Sequence, residues 1–470
     1  MGRLIVLEVN EVPLFIFRWY AQRKPQSAIA SLLADGAVGE TRNTDDLEGR
    51  ELYPSQTWAT LAMGVPLPQH KVFRYADPKP SDTPLYWEIA SKESTVGVVG
   101  SLHSSPLKSQ AELPGLEFCV PDTFAAEPAT RPASLTALQR FSLSMTSSNS
   151  RAVSSTSPIR GYVNGVAAAG KARLRPATLL RLGILAGGVA ANRIPRERLR
   201  TAHFVMMADV FERLLHRHDP DLAVFFTNHV AAAMHRYWYA SFPDHWDTNL
   251  YSDEWCARFQ DEIPAALDEL DRVLARLLAR CTSSGRALVI VSSMGQIGGE
   301  PLRDRSDEVF IVRSPSKFMN AIGVVEPFEI RSAMAPQVSA EFLTPEAARY
   351  QREKLDIAHG PHSGLDMEQR DRVLTIGYDI DVVGSSSPGT ANSVRFAGTL
   401  WTASDLGGEI IAVDEHRNGM HHPVGSLICM NSTTARFQHD PVDAREVAPA
   451  ILRALDIEPP TYQREPSFSL

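Results

Sequence analysis

Short apolar runs, each ended by small or polar residues, recur along the chain and constrain its fold more than any other feature. In "ALVIVSSMGQIGGE", five apolar residues from Ala287 are followed by Ser292, Ser293, Met294 and Gly295. A run of this kind is typical of a buried parallel strand that ends in a loop. Similar runs occur at Leu4–Val9, at Val96–Gly100 and in "LAVFFTNHV".

Helical periodicity separates two of these runs. The segment "DEIPAALDELDRVLARLLARC" carries apolar residues at helical spacing. Alternation of strand, helix and strand indicates an α/β protein with a doubly wound, mostly parallel sheet flanked by helices. In such sheets ligands bind beyond the carboxyl ends of the strands, which directs attention to the polar residues that follow each run.

Bulk properties exclude several classes of protein. The chain has 470 residues, and 47 basic against 55 acidic side chains give a net charge of −8, which argues against a nucleic-acid-binding protein. Its four cysteines lack any CxxC spacing, which favours buried thiols in a reducing compartment. No apolar stretch reaches the ~20 residues of a membrane span, and the N-terminus does not resemble a signal peptide. We therefore expect a cytoplasmic, bacterial protein without a membrane span.

One region departs from the alternation of strands and helices. Residues 123–200 begin with a Ser-rich loop ("SLSMTSSNSRAVSSTSP") and continue into a basic, helical stretch. We interpret them as an insertion, or cap, in an α/β core made of residues 1–122 and 201–470. Either the loop is mobile and the helix has a solvated face, or the arginines of a cap contact an anionic substrate. These arginines are Arg173, Arg175, Arg181, Arg193, Arg196, Arg198 and Arg200.

Six segments, in order along the chain, resemble the alkaline phosphatase superfamily, in particular its branch of type I phosphodiesterases and nucleotide pyrophosphatases. The resemblance implies an alkaline phosphatase-like α/β fold and a site where two zinc-like cations, held by Asp and His, activate a Thr or Ser hydroxyl on a phosphate. The segments are "PSQTWATLAMGVPLPQHKV", "PLYWEIASKESTVGVVGSLHSSP", "TNHVAAAMHRYW", "VIVSSMGQ", "NGMHHPVGSLI" and "VDAREVAPAILRALDIEPP".

The metal-binding positions of that family are only partly kept. His235 and His421 match the family's histidines, whereas the acidic position before His235 is Ala231. The Asp-His pair of "VIVSSMGQ" is replaced by Ser293 and Met294, and methionine sulfur is too soft a ligand beside phosphate. The resemblance therefore predicts a degenerate metal site rather than the two-cation site of the family.

The first strand supplies a weakened position as well. The family's Asp-Gly pair corresponds to Asn10-Glu11. Glu8 and Glu11 flank Asn10 and could substitute for the missing carboxylate, although both are out of register. We expect at most one divalent cation, zinc or manganese, bound by Glu8, Asn10, His235 and His421, with His229 as a further candidate ligand.

Catalytic and substrate-binding candidates lie in the same segments. Thr57 and Ser55 are the candidate nucleophiles, although either hydroxyl could simply cap a helix. His229 is a candidate general acid or base, since the pKa of histidine suits that role. Asn228, Arg236 and His422 are candidate substrate-binding residues.

Two functions of different class follow from these residues. In the first, the protein is an enzyme that hydrolyses or transfers a phosphoester, a phosphodiester or a nucleotide sugar. In the second, the fold is kept as a catalytically inactive, metal-free binding or regulatory module that recognises a phosphate or sugar through arginines and backbone amides.

Overall fold

A computed structural model describes most of the chain. The described ranges are residues 2–45, 52–75, 79–80, 82–147, 172–246, 251–299, 308–331, 337–360, 364–383, 392–412, 418–430 and 441–470, with the single positions 77, 165, 167, 170, 333 and 437. Most of the Ser-rich loop, residues 148–164, lies outside them.

The strands, in chain order, are β1 Leu4–Val9, β2 Ala37–Arg42, β3 Val96–Val99, β4 Leu116–Val120, β5 Leu222–Thr227, β6 Ala287–Val291, β7 Gly295–Gly298, β8 Glu308–Val312, β9 Phe328–Arg331, β10 Gln337–Phe342, β11 Leu365–Arg370, β12 Val373–Tyr378, β13 Asp381–Val383, β14 Ser393–Phe396, β15 Thr399–Thr402, β16 Gly408–Ala412, β17 Gly419–His422, β18 Val424–Met430 and β19 Val442–Asp443.

The α-helices are α1 Leu14–Arg23, α2 Ala28–Asp35, α3 Pro54–Met63, α4 Leu67–His70, α5 Tyr86–Ala90, α6 Thr136–Ser147, α7 Pro176–Ala190, α8 Thr201–His218, α9 His229–Ser241, α10 Asp253–Phe259, α11 Glu262–Ser284, α12 Pro315–Ala321, α13 Pro345–His359 and α14 Val447–Ala454. Short 3₁₀ turns span Ala133–Leu135, Arg196–Arg200, Pro243–His245 and Ala444–Glu446.

Eight strands form the central sheet in the order β19-β2-β18-β6-β1-β5-β3-β4. The five strands from β6 to β4 are parallel, whereas β18 runs antiparallel to both β6 and β2. Crossover helices cover both faces, as they must when parallel strands are joined in one sheet. The predicted doubly wound, mostly parallel α/β sheet is therefore confirmed.

Strand β1 lies at the centre of the sheet and is buried along its whole length. Because side chains alternate along a strand, Ile5, Leu7 and Val9 enter the hydrophobic core on one face, and Leu4 and Val6 enter the core on the other. This alternation also decides where the polar residues at the end of β1 point.

A smaller unit between β8 and β16 has a hydrophobic core of its own. It contains a four-stranded antiparallel sheet in the order β11-β12-β10-β9, together with the three-stranded sheet β13-β14-β15. Two ion pairs tie it to the central domain: Arg74 Nε to Glu368 Oε2 at 2.8 Å, and Arg370 Nε to Asp77 Oδ2 at 3.5 Å. These residues lie within the range predicted as α/β core, residues 201–470, because short, mixed strands give no clear periodicity.

Helix α7 lies in the predicted insertion, where a basic helical stretch was expected. Several of its arginines pair with carboxylates of the core: Arg175 Nη2 lies 2.6 Å from Glu212 Oε2, and Arg198 Nη2 lies 2.5 Å from Glu262 Oε1. These ion pairs attach the insertion to the core. The division into core and cap stays a prediction.

Among the described residues, no helix combines the length and apolar character that crossing a membrane requires.

Candidate functional site

Glu11, His235 and His421 converge at the carboxyl end of the central strand. Glu11 lies in the turn after β1, His235 on α9 and His421 on β17. Glu11 Oε2 lies 2.7 Å from His235 Nε2 and 3.3 Å from His421 Nε2. One ligand atom from each residue lies within 4.8 Å of the other two, which is a spacing that could hold a metal ion. Three separate elements therefore bring one carboxylate and two imidazoles together.

Burial and backbone conformation set the carboxylate in place. Only 2% of Glu11 is exposed, and its φ of 57° lies in the left-handed region, which is uncommon for a residue other than glycine. A buried residue held in such a conformation costs free energy, and conformations of this kind are often found at functional sites. The turn points Glu11 towards α9.

The tautomer of His235 follows from its second contact. His235 Nδ1 lies 2.8 Å from the carbonyl oxygen of Gly419, and a carbonyl can only accept, so Nδ1 carries a proton. Nε2 then faces Glu11 either as the second N–H of an imidazolium or as a lone pair. A lone pair beside a carboxylate oxygen is repulsive unless a cation lies between them. In either state the site requires positive charge next to Glu11.

Neutral donors complete the surroundings of the carboxylate. Gln296 Nε2 donates to Glu11 Oε2 at 2.5 Å, and Asn10 Nδ2 donates to Glu11 Oε1 at 2.8 Å. Burial opposes ionisation of Glu11, but the charges of His235 and His421 and their hydrogen bonds outweigh it and hold the pKa of Glu11 well below its usual value. The group is therefore a carboxylate at neutral pH.

Asn10 lies beside this cluster, but its oxygen is engaged elsewhere. Asn10 Oδ1 accepts a hydrogen bond from Trp58 Nε1 at 2.7 Å, and Asn10 Nδ2 also donates to Asn228 Oδ1 at 2.8 Å. The atom of Asn10 that could bind a cation is thus taken by an indole. Asn10 instead donates to Glu11, and Asn228 accepts from the same amide group of Asn10.

Both candidate nucleophiles are buried and hydrogen-bonded. Thr57 Oγ1 lies 2.8 Å from Ser293 Oγ, and neither residue is exposed. Ser55 Oγ donates to the carbonyl of Phe73 at 2.6 Å. The alternative that these hydroxyls cap the helix does not describe them either, since the N-cap position of α3 is Tyr53. Met294, also fully buried, fills the space next to Ser293 in the chain.

Glu8 lies on the opposite face of β1 from the histidines, as the alternation of the strand requires. Glu8 Oε1 accepts a hydrogen bond from the Tyr86 hydroxyl at 2.9 Å, and burial raises the pKa of Glu8 to about 7. The structure therefore does not bring Glu8 into the cluster, and Glu11 takes the position expected for it.

His229 packs as a core histidine. Its ring stacks on Phe204 at a centroid distance of 3.6 Å, Nε2 donates to the Ala266 carbonyl at 3.0 Å and Nδ1 accepts from the Thr227 hydroxyl at 2.6 Å. Burial lowers the pKa of His229 to about 3, so the ring is neutral at physiological pH. His229 lies outside the cluster.

The remaining two candidates are placed differently. Arg236 Nη1 donates to the Ala232 carbonyl, one turn earlier in α9, at 2.7 Å. His422 follows His421 on β17, so its side chain points to the other face of the strand, and its Nδ1 accepts from the amide of Val424 at 3.3 Å. Burial lowers the pKa of His422.

A cavity of about 340 Å³ lies between the central domain and the smaller unit. Tyr75 and Phe124 stack in its wall at 3.6 Å, and His103, which also lines it, donates from Nε2 to the Ser55 carbonyl in the first turn of α3 at 2.6 Å. Burial, and after it the charge of Glu11, raise the pKa of Tyr75 well above its usual value. The cavity therefore lies within electrostatic reach of the Glu11 cluster.

Sequence reasoning considered Glu11 as a substitute for Asn10 but chose Glu8 instead, and it missed Gln296 as a member of the site. Glu11 occupies the family's glycine position, and a register based on Asn10 leaves it out. No spacing signal distinguishes Glu11 from Glu8, because both flank Asn10, and Glu11 lies in the turn beyond the strand, where alternation no longer applies. Gln296 lies just beyond Met294, in a segment where only the two preceding positions were considered.

Comparison with known proteins finds similar solved structures at low sequence identity. No family profile and no curated protein sequence matches the chain. A solved structure of phosphonoacetate hydrolase from Sinorhizobium meliloti is 12% identical, with a TM-score of 0.40 over 97% of this chain and 95% of that one. Human ectonucleotide pyrophosphatase/phosphodiesterase 5 is 10% identical, with a TM-score of 0.38 over 98% and 96%. The murine form, solved in complex with AMP, is 9% identical, with a TM-score of 0.38 over 100% and 98%.

At this level of similarity the likeness concerns the fold alone. The chemistry of the site is argued from the side chains of this chain.

Proposed function

We propose that the protein binds one divalent cation, zinc or manganese, through Glu11, His235 and His421 and acts on a small phosphoester or related phosphorylated substrate. The observation that carries the proposal is the convergence of three ligand atoms within 4.8 Å. In this set Glu11 supplies the carboxylate that Ala231 lacks.

The donor set suits such an ion. One carboxylate oxygen and two imidazole nitrogens are ligands that zinc and manganese accept. A cation bound there would supply Lewis acidity towards a phosphoryl oxygen. The contact of His235 Nδ1 with the Gly419 carbonyl is the kind of outer contact that fixes the tautomer and orientation of a metal-binding imidazole.

The surrounding residues hold the carboxylate and shape the approach to it. Asn10 and Gln296 each donate to a different oxygen of Glu11, so the carboxylate is kept ionised and cannot rotate freely. Because the hydroxyls of Thr57 and Ser55 are buried and engaged, we propose direct attack by water or by an acceptor hydroxyl rather than through a covalent enzyme intermediate. Hydrolysis and transfer are both compatible with this arrangement.

The cavity beside α3 is the proposed space for the organic part of the substrate. Lys79 lines it, and its ammonium donates to the His103 carbonyl. Phosphoesters, phosphodiesters and nucleotide sugars would all offer a phosphoryl group together with an organic part, so the substrate class stays at a small phosphorylated molecule.

A second candidate is a metal-free binding module. The specific observation that favours it is the 2.7 Å contact between His235 Nε2 and Glu11 Oε2, which an imidazolium–carboxylate pair would satisfy without any cation. In that state the pair would bind an anionic group through the protonated histidine, with no turnover.

Elemental analysis of protein purified without chelator or affinity metal separates the two candidates. We expect about one equivalent of zinc or manganese in the wild type, as a single two-histidine, one-carboxylate set predicts. Glu11→Gln, His235→Ala and His421→Ala should lose it. Glu8→Gln and His422→Ala are matched controls, because each alters the same residue type outside the cluster.

Activity is then assayed with aryl phosphomonoester, phosphodiester and phosphonate substrates before and after the metal is removed. Turnover that is lost with the metal and restored by zinc or manganese supports the enzyme. Full retention of metal in all three cluster variants, or no metal and no rise in melting temperature on adding either cation, would rule out the metal site and leave the binding module.

A further inference from the structure

The outer face of α7 is apolar along its length. Leu180 and Ile184 are 66% and 57% exposed, and Leu179 is 44% exposed. On the same face, a Cβ built at Gly183 or Gly187 would meet no atom of the described residues within 4 Å. These five positions follow the three- and four-residue spacing of one helical face, and together they are called the α7 apolar face.

The opposite side of α7 is fixed to the body of the protein. Leu182 is buried in the core. Arg181 Nε donates to Glu269 Oε1 on α11 at 2.9 Å, and Arg175, which precedes the helix, pairs with Glu212 on α8 at 2.6 Å. The orientation of the helix is therefore set by core contacts, and the α7 apolar face points away from the described part of the protein.

Uncompensated positive charge flanks this face. Arg173 and Arg193, which lie just before and just after α7, are exposed. Among the described residues, no carboxylate lies within ion-pair distance of either guanidinium. The helix itself contains no acidic residue, although the whole chain has a net charge of −8. The positive charge is thus concentrated at the two ends of the exposed apolar surface.

We propose that the α7 apolar face docks the protein on the surface of a membrane that contains anionic phospholipids. Exposed apolar residues on one side of a helix, with arginines next to its two ends, allow the helix to lie in the plane of a membrane interface. The 15 residues of α7 span about 22 Å at the rise of an α-helix, and the helix is not one that could cross a bilayer. Leu180 and Ile184 would enter the boundary of the acyl chains, and Arg173 and Arg193 would meet lipid phosphates.

A second copy of the chain fits the same face less well. A symmetric pair of antiparallel α7 helices would bring Arg173 of one copy near Arg193 of the other, with no acidic residue on either helix to pair with them. A face made of three large side chains and two glycines is also narrow compared with the roughly 800 Å² that each partner buries in a stable interface. Charge complementarity therefore favours the lipid surface.

Vesicle flotation with the full-length protein tests the proposal. We expect the wild type to float with vesicles of phosphatidylcholine and phosphatidylglycerol at low salt, and to stay at the bottom with phosphatidylcholine alone. Leu180→Ser/Ile184→Ser should weaken binding, and Arg173→Gln/Arg193→Gln should weaken it roughly tenfold or more, because each arginine near an anionic surface contributes severalfold to affinity.

Matched controls come from the smaller unit. Val325→Ser/Ile357→Ser removes two apolar side chains of similar exposure, 63% and 85%, and Arg349→Gln removes an exposed arginine. These variants should bind like the wild type. Wild-type protein that fails to bind anionic vesicles at low salt would overturn the proposal, as would equal losses in the α7 and control variants. A dimer in sedimentation equilibrium that dissociates in Leu180→Ser/Ile184→Ser would replace the membrane with a second copy.

Discussion

Two neighbouring regions at the same edge of the sheet differ in whether their buried polar groups are charged. Around Glu11, a buried carboxylate faces two imidazoles and is surrounded by donors. Around Thr57, a hydroxyl meets the hydroxyl of Ser293 in a fully buried, uncharged contact. In the family that the sequence resembles, both regions hold metal ligands. Here the region around Glu11 keeps ionisable groups, whereas the region around Thr57 contains only uncharged hydrogen-bonded groups.

The difference shows which buried polar groups are stable in the protein interior. A buried charge is stable only when opposite charge and hydrogen bonds compensate it, so the Glu11 region needs its whole set of partners at once. A buried hydroxyl pair is satisfied by itself. We therefore expect substitutions around Glu11 to affect ligand binding strongly, and substitutions around Thr57 to affect stability alone.

The largest effect should come from removing the charge of Glu11. Glu11→Gln keeps the size of the side chain but leaves two imidazoles without an anionic partner. We expect metal affinity to fall by about 100-fold or more. Loss of an outer contact typically lowers metal affinity by about 10- to 100-fold, and loss of a direct ligand should lower it at least as much. Titration calorimetry with zinc measures the loss. Ser293→Ala, in the other region, should bind zinc as the wild type does; a similar loss in both variants would contradict the comparison.

A smaller effect should follow from removing the amide that holds Glu11. Gln296→Leu deletes the donor to Glu11 Oε2 while keeping an apolar volume of similar size. Outer contacts of this kind typically change metal affinity by about 10- to 100-fold. The same calorimetric titration should rank Gln296→Leu between the wild type and Glu11→Gln. Unchanged affinity would mean that the contact is structural.

Glu8 makes stability, but not metal binding, depend on pH. Its pKa in the folded protein is raised to about 7 from 4.5 by burial, so the folded state binds the proton more tightly than the unfolded chain. The stability linked to this proton is complete below pH 4.5 and is lost as pH rises through 7. The free energy of unfolding of Glu8→Gln, relative to that of the wild type, should therefore rise by about 2–3 kcal/mol between pH 4.5 and pH 8. This is the free energy that corresponds to a pKa shift of this size.

Denaturant unfolding at several pH values gives that difference directly. Glu8→Gln should also leave zinc affinity unchanged at pH 7, because the side chain lies on the other face of β1. A stability difference that stays flat with pH would show that Glu8 is not protonated in the folded state.

The smallest effect should appear in the hydroxyl pair. Thr57→Val leaves Ser293 without its partner and should cost about 1–2 kcal/mol of unfolding free energy. The double variant Thr57→Val/Ser293→Ala removes both polar groups and should recover part of that loss. A double-mutant cycle measures the coupling, and turnover should persist in all three variants. Loss of turnover in Thr57→Val with an intact metal site would restore Thr57 as a nucleophile.

The sequence was sufficient to predict the central strands of the sheet and the two histidines of the candidate site. The apolar runs that form β1, β5 and β6 are continuous and long enough to be recognised, and His235 and His421 stand in recognisable motifs. Glu11 could not be chosen over Glu8 from spacing, because both flank Asn10. Only the burial of both faces of β1, seen once the helices are in place, shows that one carboxyl faces the histidines and the other faces Tyr86.

The burial of Thr57 and the existence of the smaller unit were not accessible to the same reasoning. A hydroxyl near the start of a helix can lie in solvent, cap the helix or pair across the core, and the choice depends on Ser293, which is 236 residues away. The strands of the smaller unit are short and half-exposed, so their alternation is weak, and its core forms only when four strands assemble.

Gly419 couples the positions of the two histidines. Its carbonyl accepts from His235, the neighbouring Asn418 amide donates to the His235 carbonyl at 2.9 Å, and a side chain at position 419 would clash with the Met234 carbonyl at 2.5 Å. The strand that carries His421 is thus fastened to the helix that carries His235. A substitution at position 419 would therefore displace both histidines at once, which makes this glycine a backbone determinant of the separation between the two imidazoles.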